Sequence, residues 1–173
     1  MEPRARSAAT LGVLVVLCLL GILLGIRALT ADLPTDPLVE SSTEQCETRT
    51  VAKGKKIRAS EVTVSVYNAG SKAGAASKVM KELQTRGFAP GESGNAPKGT
   101  DVVRAQVWAE SRKNSAALLV ARHLGDGIRV FGGRQVLGPG IVVVVGNDLG
   151  KLPPGPKQTT AARPTKICSP PVS

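Results

Sequence analysis

A stretch of 19 residues without a charge, AATLGVLVVLCLLGILLGI (Ala8 to Ile26), constrains this chain more than any other feature. At a helical rise of about 1.5 Å per residue it crosses most of a hydrocarbon layer roughly 30 Å thick. Arg4 and Arg6 precede it, so the positive-inside rule sets the N-terminus in the cytoplasm and everything after Arg27 outside. A cleaved signal peptide is the competing reading, but its apolar core is usually about 7–15 residues and ends at a small-x-small site. ALTAD (28–32) fits that site poorly, because Leu29 takes the −3 position of a cut after Ala31. Residues 1–7 are therefore expected in the cytoplasm and 8–29 as an uncleaved single-pass anchor. Leu17 is not the small residue a lipid-attachment site needs before its cysteine, so Cys18 reads as an ordinary membrane-embedded thiol. Gly21 and Gly25 have the spacing that lets two membrane helices pack closely, which allows self-association.

The exterior location changes what the charge means. The whole chain has a formal charge of +10; outside the membrane 20 basic and 12 acidic residues remain. A basic domain beside a membrane meets lipid head groups and anionic wall polymers, whereas nucleic acid is the default partner only of a cytosolic chain. The aromatic residues are Tyr67, Phe88, Trp108 and Phe131, too few for a stacking platform. Cys46 and Cys168 lie far apart, on either side of the most structured region. An oxidising exterior favours their pairing, and two free thiols are the alternative.

Residues 30–60 lack sustained apolar periodicity and read as an extracytoplasmic linker that contains the basic cluster KGKKIR. Residues 151–173 read as a proline-rich tail, since proline denies both helix and central strand. The folded domain is expected over 61–150. VTVSV alternates, with Val62, Val64 and Val66 on one face. Ala76, Val79, Met80 and Leu83 follow at helical spacing. Ser71 is the expected N-cap of that helix and Gly87 its stop. Phe88 to Pro90 starts a second strand, and ESGNAPKGT has the composition of a loop. VVRAQVWA is a third strand, with Val103, Ala105 and Val107 on one face. SRKNSAALLVARHLG is a second helix with a stripe of Ala117, Val120, Ala121 and Leu124. IRVF is a short extra strand. GIVVVVG, β-branched and unbroken, belongs at the centre of a sheet. The order β-α-β-β-α-β gives an α/β (α+β sandwich) class: a small mixed sheet of four or five strands with two helices on one face. The split βαβ arrangement of ferredoxin-like folds has this order.

The joint VYNAGSKAGAASKV has the look of a phosphate loop. A Walker loop needs Gly, four residues, then Gly-Lys-Ser/Thr, but here three residues separate Gly70 from Gly74 and Lys72 lies inside. Gly-x-Gly-x-x-Gly is absent too. Either the joint is structural, with Gly70 supplying the turn and Gly74 letting the helix approach the sheet, or Asn68, Gly70, Lys72 and Gly74 hold an anion at a helix N-terminus. His123, the only histidine, falls late in a helix, where a dipole contact or solvent exposure accounts for it. No orienting carboxylate or nucleophile can be set beside it. Asp101, Glu110, Asp126 and Asp148 are scattered at element ends, so neither catalysis, a metal nor a cofactor is implied.

The joint, taken with its surroundings, resembles the opening of the LytR C-terminal domain family. VTVSVYNAGSKAGAASKVMKELQTRGF carries the resemblance through Asn68, Gly70, Gly74, Ala76, Leu83, Gly87 and Phe88. GNAP, SAALLVARHLG and VVVVGNDL are similar to the segments that follow in that family. The resemblance implies an extracytoplasmic domain of the kind that often follows a LytR-CpsA-Psr catalytic domain. This chain is similar to the stand-alone, membrane-anchored actinobacterial form, some members of which support cell-envelope integrity. No catalytic residue comes with the resemblance. It implies a non-enzymatic protein whose partners are the membrane and a cell-wall polymer or envelope-assembly proteins, with no nucleic acid. The alternatives are an accessory or regulatory subunit of a wall-polymer transferase, or an enzyme acting on anionic wall precursors through Asn68, Lys72 and Asp148 around one cavity.

Overall fold

The computed structural model describes residues 15–23 and 46–171. The chain divides into two units, residues 1–40 and 41–173. In the first, residues 15–23 form helix α1, whose valine, leucine and isoleucine side chains and Cys18 are all exposed. Among the described residues no helix is long and apolar enough to cross a membrane. Most of the expected anchor, Gly25 included, and residues 30–45 of the expected linker lie outside the described residues.

The second unit begins with strands β1 (Glu47–Val51) and β2 (Lys56–Arg58) and a single 3-10 turn (Ala59–Glu61). Then come β3 (Thr63–Asn68), α2 (Ala75–Thr85), β4 (Ala89–Asn95), β5 (Ala105–Ala109), α3 (Ser115–Leu124), β6 (Arg129–Gly132) and β7 (Ile141–Val145). β8 (Gln158–Thr160) and β9 (Thr165–Ser169) close it. Five strands form a mixed sheet in the order β4-β3-β7-β5-β6. β3 is parallel to both β4 and β7, β5 is parallel to β6, and β5 and β7 run antiparallel. Valines at alternate positions face the helices: Val64, Val66, Val107, Val143 and Val145 share one core with Ala76, Leu83, Ala116 and Val120. Tyr67, Trp108, Val142 and Val144 cluster on the opposite face. Both helices therefore cover one face, as the sequence implies.

The strand order is not the split one. β3 and β4 are direct neighbours joined through α2, and so are β5 and β6 through α3. β7 enters between these two strand–helix–strand pairs because IVVVV is buried along its whole length, and only a central slot covers both faces. Two further boundaries shift. The stretch ESGN, expected in a loop, completes β4 at the sheet edge, where Pro90 loses no ladder bond it needs. Val103 lies before β5 and is exposed.

Helix α2 ends in a Schellman motif. The Gly87 N–H donates to the Gln84 carbonyl and the Phe88 N–H to the Leu83 carbonyl, with Gly87 at a φ of 94°. Its start differs from expectation: Gly74, not Ser71, is the N-cap, in the left-handed region. Ser71 instead turns to the end of β7. Helix α3 is capped by Asn114, whose side-chain oxygen accepts from the N–H groups of Ala116 and Ala117.

The largest departure concerns the segments expected as linker and tail. β1 pairs with β9 and β2 with β8, both antiparallel. The two ladders share one register: five residues on from Val51 and five back from Thr165 lead to the pair Lys56 and Thr160. They are one ribbon, interrupted at the turn before Lys56. Cys46 and Cys168 close its end in a disulfide with their Cα atoms 5.3 Å apart. The ribbon sends Val51, Ile57, Ala161 and Ile167 into the helix-side core, each large side chain contributing about 1.5–3 kcal/mol by burial. It also lies against the outer side of α3. Asn114 Nδ2 donates to the Lys166 carbonyl, and the Ala162 N–H donates to Ser115 Oγ. That explains why eight residues of α3 are buried rather than a stripe. Polar spacing hid this, since only one residue in five of β1 is buried. With its own core and covalent closure, this second unit stands as an independent folding unit.

Candidate functional site

The carboxyl ends of β4, β3 and β7 meet at one edge of the sheet, where ligands of open α/β sheets gather. The joint after β3 lies there and is tightly tied. Asn68 Oδ1 accepts from the Gly70 N–H at 3.0 Å, and its Nδ2 donates to the Lys72 carbonyl at 2.9 Å. Asn147, just past β7, holds the other side: its Oδ1 accepts from the Ser71 N–H at 2.8 Å, and its carbonyl accepts from Lys72 Nζ at 2.8 Å.

The two glycines exchange the roles expected of them. A Cβ on Gly70 would lie 2.5 Å from Asn147 Oδ1, so Gly70 permits the close approach. Gly74 has no neighbour within 4 Å of such an atom but has a φ of 73°, so its need is conformational. Asn147 was not singled out in the sequence; its neighbour Asp148 was. The signal for it was the position of GND directly after the central strand, at the same edge as Asn68.

Two grooves flank the joint. One, about 580 Å³, is lined by Lys72, Gly74, Lys78, Val79, Val145 and Lys151, among others. The second, about 430 Å³, is lined by Asn68, Gly70 and Ser71, together with Asn95 at the end of β4 and residues 96–100, Lys98 among them. The structure thus brings Lys72 and Gly74 to one groove and Asn68 and Gly70 to the other. Asp148 is exposed and lines neither.

His123 is buried, not exposed. Its ring meets Phe88 edge-on at 4.9 Å, and Nε2 lies 3.0 Å from the Pro156 carbonyl, while Nδ1 has no partner among the described residues. Burial pushes its pKa down; the bond to Pro156 works against this, and the nearby Arg86 charge adds to it. Arg86 fastens the same segment. Its guanidinium donates to the carbonyls of Leu152 (2.8 Å), His123 (3.1 Å) and Pro153, and pairs with Glu82 at 2.6 Å. These two residues act on the chain's own fold. On the opposite sheet face the Tyr67 hydroxyl donates to the Leu137 carbonyl beside the Glu92 carboxylate. Burial first, and then Glu92, raise its pKa to about 12. Among the described residues no three His, Cys, Asp or Glu side chains gather as metal ligands.

The family described as LytR cell envelope-related transcriptional attenuator matches residues 61–149. A solved structure, the soluble domain of a conserved hypothetical secreted protein from Mycobacterium marinum, aligns with a TM-score of 0.48 and 22% identity. The alignment covers 59% of this chain and 77% of that one. No curated protein matches the chain.

Proposed function

We propose, on the premise that this chain belongs to the LytR cell envelope-related transcriptional attenuator family, that it acts outside the cytoplasm as a non-enzymatic module of the cell envelope. In this reading residues 8–29 hold it in the membrane, and the folded unit binds wall polymer or wall-assembly proteins. The apolar run and the exposed apolar side chains of α1 support the anchor.

The observation that carries the binding role is where the cations lie. Lys78 and Lys151 line the 580 Å³ groove beside α2, and two further grooves hold Arg58 with Lys157 and Lys113 with Arg163. None of these six is in a salt bridge among the described residues. Positive charge spread over several concave surfaces suits a polyanion that lies across the domain, held by many weak contacts. Crosslinking in intact cells tests the proposal: recovery of wall polymer or a wall-assembly protein is expected. Recovery of cytoplasmic proteins alone contradicts it.

A further inference from the structure

We infer that the groove between the start of α2 and the segment after β7 is a site for an amphipathic anion, a phosphate head group carried on an apolar chain. The inference deepens the binding role proposed above, and rests on it, by giving one groove a ligand class of its own.

The groove is large enough for a small-molecule ligand, at about 580 Å³. Its lining divides by chemistry. Ala75 and Leu149, both part-exposed, give it an apolar wall over the buried core residues Val79, Val145 and Leu152. Lys72, Lys78 and Lys151 supply three amines. Lys72 is held in place by its bond to the Asn147 carbonyl at 2.8 Å, while Lys78 and Lys151 have no ion-pair partner among the described residues. Glu82 also lines the groove, but its carboxylate is paired with Arg86 at 2.6 Å. The net surplus is therefore cationic. A hydrophilic polyanion would use the amines and leave the apolar wall in water. A neutral lipid would use the wall and leave the amines without a counter-charge. An anion on an apolar chain satisfies both.

The test uses the folded unit, residues 41–173, with decyl phosphate below its micelle concentration, and compares inorganic phosphate and decanol. Amide shifts on titration should map to residues 72–79 and 146–152, with decyl phosphate binding about tenfold or more tighter than either comparison compound. Lys78→Glu combined with Lys151→Glu should weaken it about tenfold or more at an unchanged melting temperature. Lys151→Glu alone, on an exposed position, serves if the pair does not fold. Decyl phosphate that shifts no groove residue overturns the inference. So does equal binding of inorganic phosphate, which would mean a surface ion contact only, or equal binding of decanol, which would mean an apolar crevice only. Each of these failures leaves polymer binding by the other cations intact, so the two readings fail separately.

Discussion

Gly155 rests against the imidazole of His123: a methyl group built on Gly155 would lie 2.7 Å from the ring. The contact sets the C-terminal segment on the seam between α2 and α3, and the Pro156 carbonyl then accepts a hydrogen bond from His123 Nε2. Several consequences of this seam can be measured.

Gly155→Ala should destabilise the folded unit by about 1–3 kcal/mol, because the ring cannot retreat in a packed core. Gly150 has open space around the same position and no positive φ, so Gly150→Ala should be nearly neutral. Urea midpoints of the two variants check the contrast.

Stability should fall as the solution is acidified through about pH 6.5, the ordinary histidine value. The folded pKa of His123 lies below that value, with burial as the leading cause. The unfolded chain therefore binds the proton first, and the loss continues down to the folded pKa. The slope for this one group is at most about 1.4 kcal/mol per pH unit. Melting curves from pH 7.5 to 5 should be less pH-dependent for His123→Phe than for the native chain.

Arg86→Met should cost about 2–4 kcal/mol, since the carbonyls of Leu152, Pro153 and His123 lose their donor and Glu82 its partner. Arg86→Lys should recover little, as one ammonium cannot span the positions that the guanidinium fork reaches. Amide exchange across residues 152–158 should rise in both variants.

Removing the Cys46–Cys168 bond should lower stability by about 2–5 kcal/mol, as the long loop it closes predicts. Denaturant unfolding of Cys46→Ala with Cys168→Ala checks this. The loss should be felt first in exchange of the β1–β9 amides, next to the bond.

The layers of this fold were legible because they rest on strong periodicity. Val64, Val66 and the IVVVV run alternate or saturate in a way that only a sheet satisfies, and Leu83 with Gly87 marks a helix and its stop. The ribbon was not legible. Its strands bury few residues, and the prolines read as breakers lie outside the paired stretches, at Pro153, Pro154, Pro156, Pro164, Pro170 and Pro171. Its apolar residues Val51, Ile57 and Ile167 have meaning only against the helix-side core, whose members come from far off in sequence. The joint was legible as a joint, but the division of labour between Gly70 and Gly74 depends on Asn147, which arrives from another strand.

Binding of the disulfide-closed unit, residues 41–173, to purified anionic wall polymer across a salt series tests the central claim most directly. The account predicts binding at low ionic strength that weakens steadily as salt shortens the screening length from roughly 30 Å at 0.01 M to roughly 10 Å at 0.1 M. Charge reversal at Lys78, Lys157 and Arg163, one in each groove, should weaken it further. No binding at low salt, or binding indifferent to both salt and these reversals, would contradict the account.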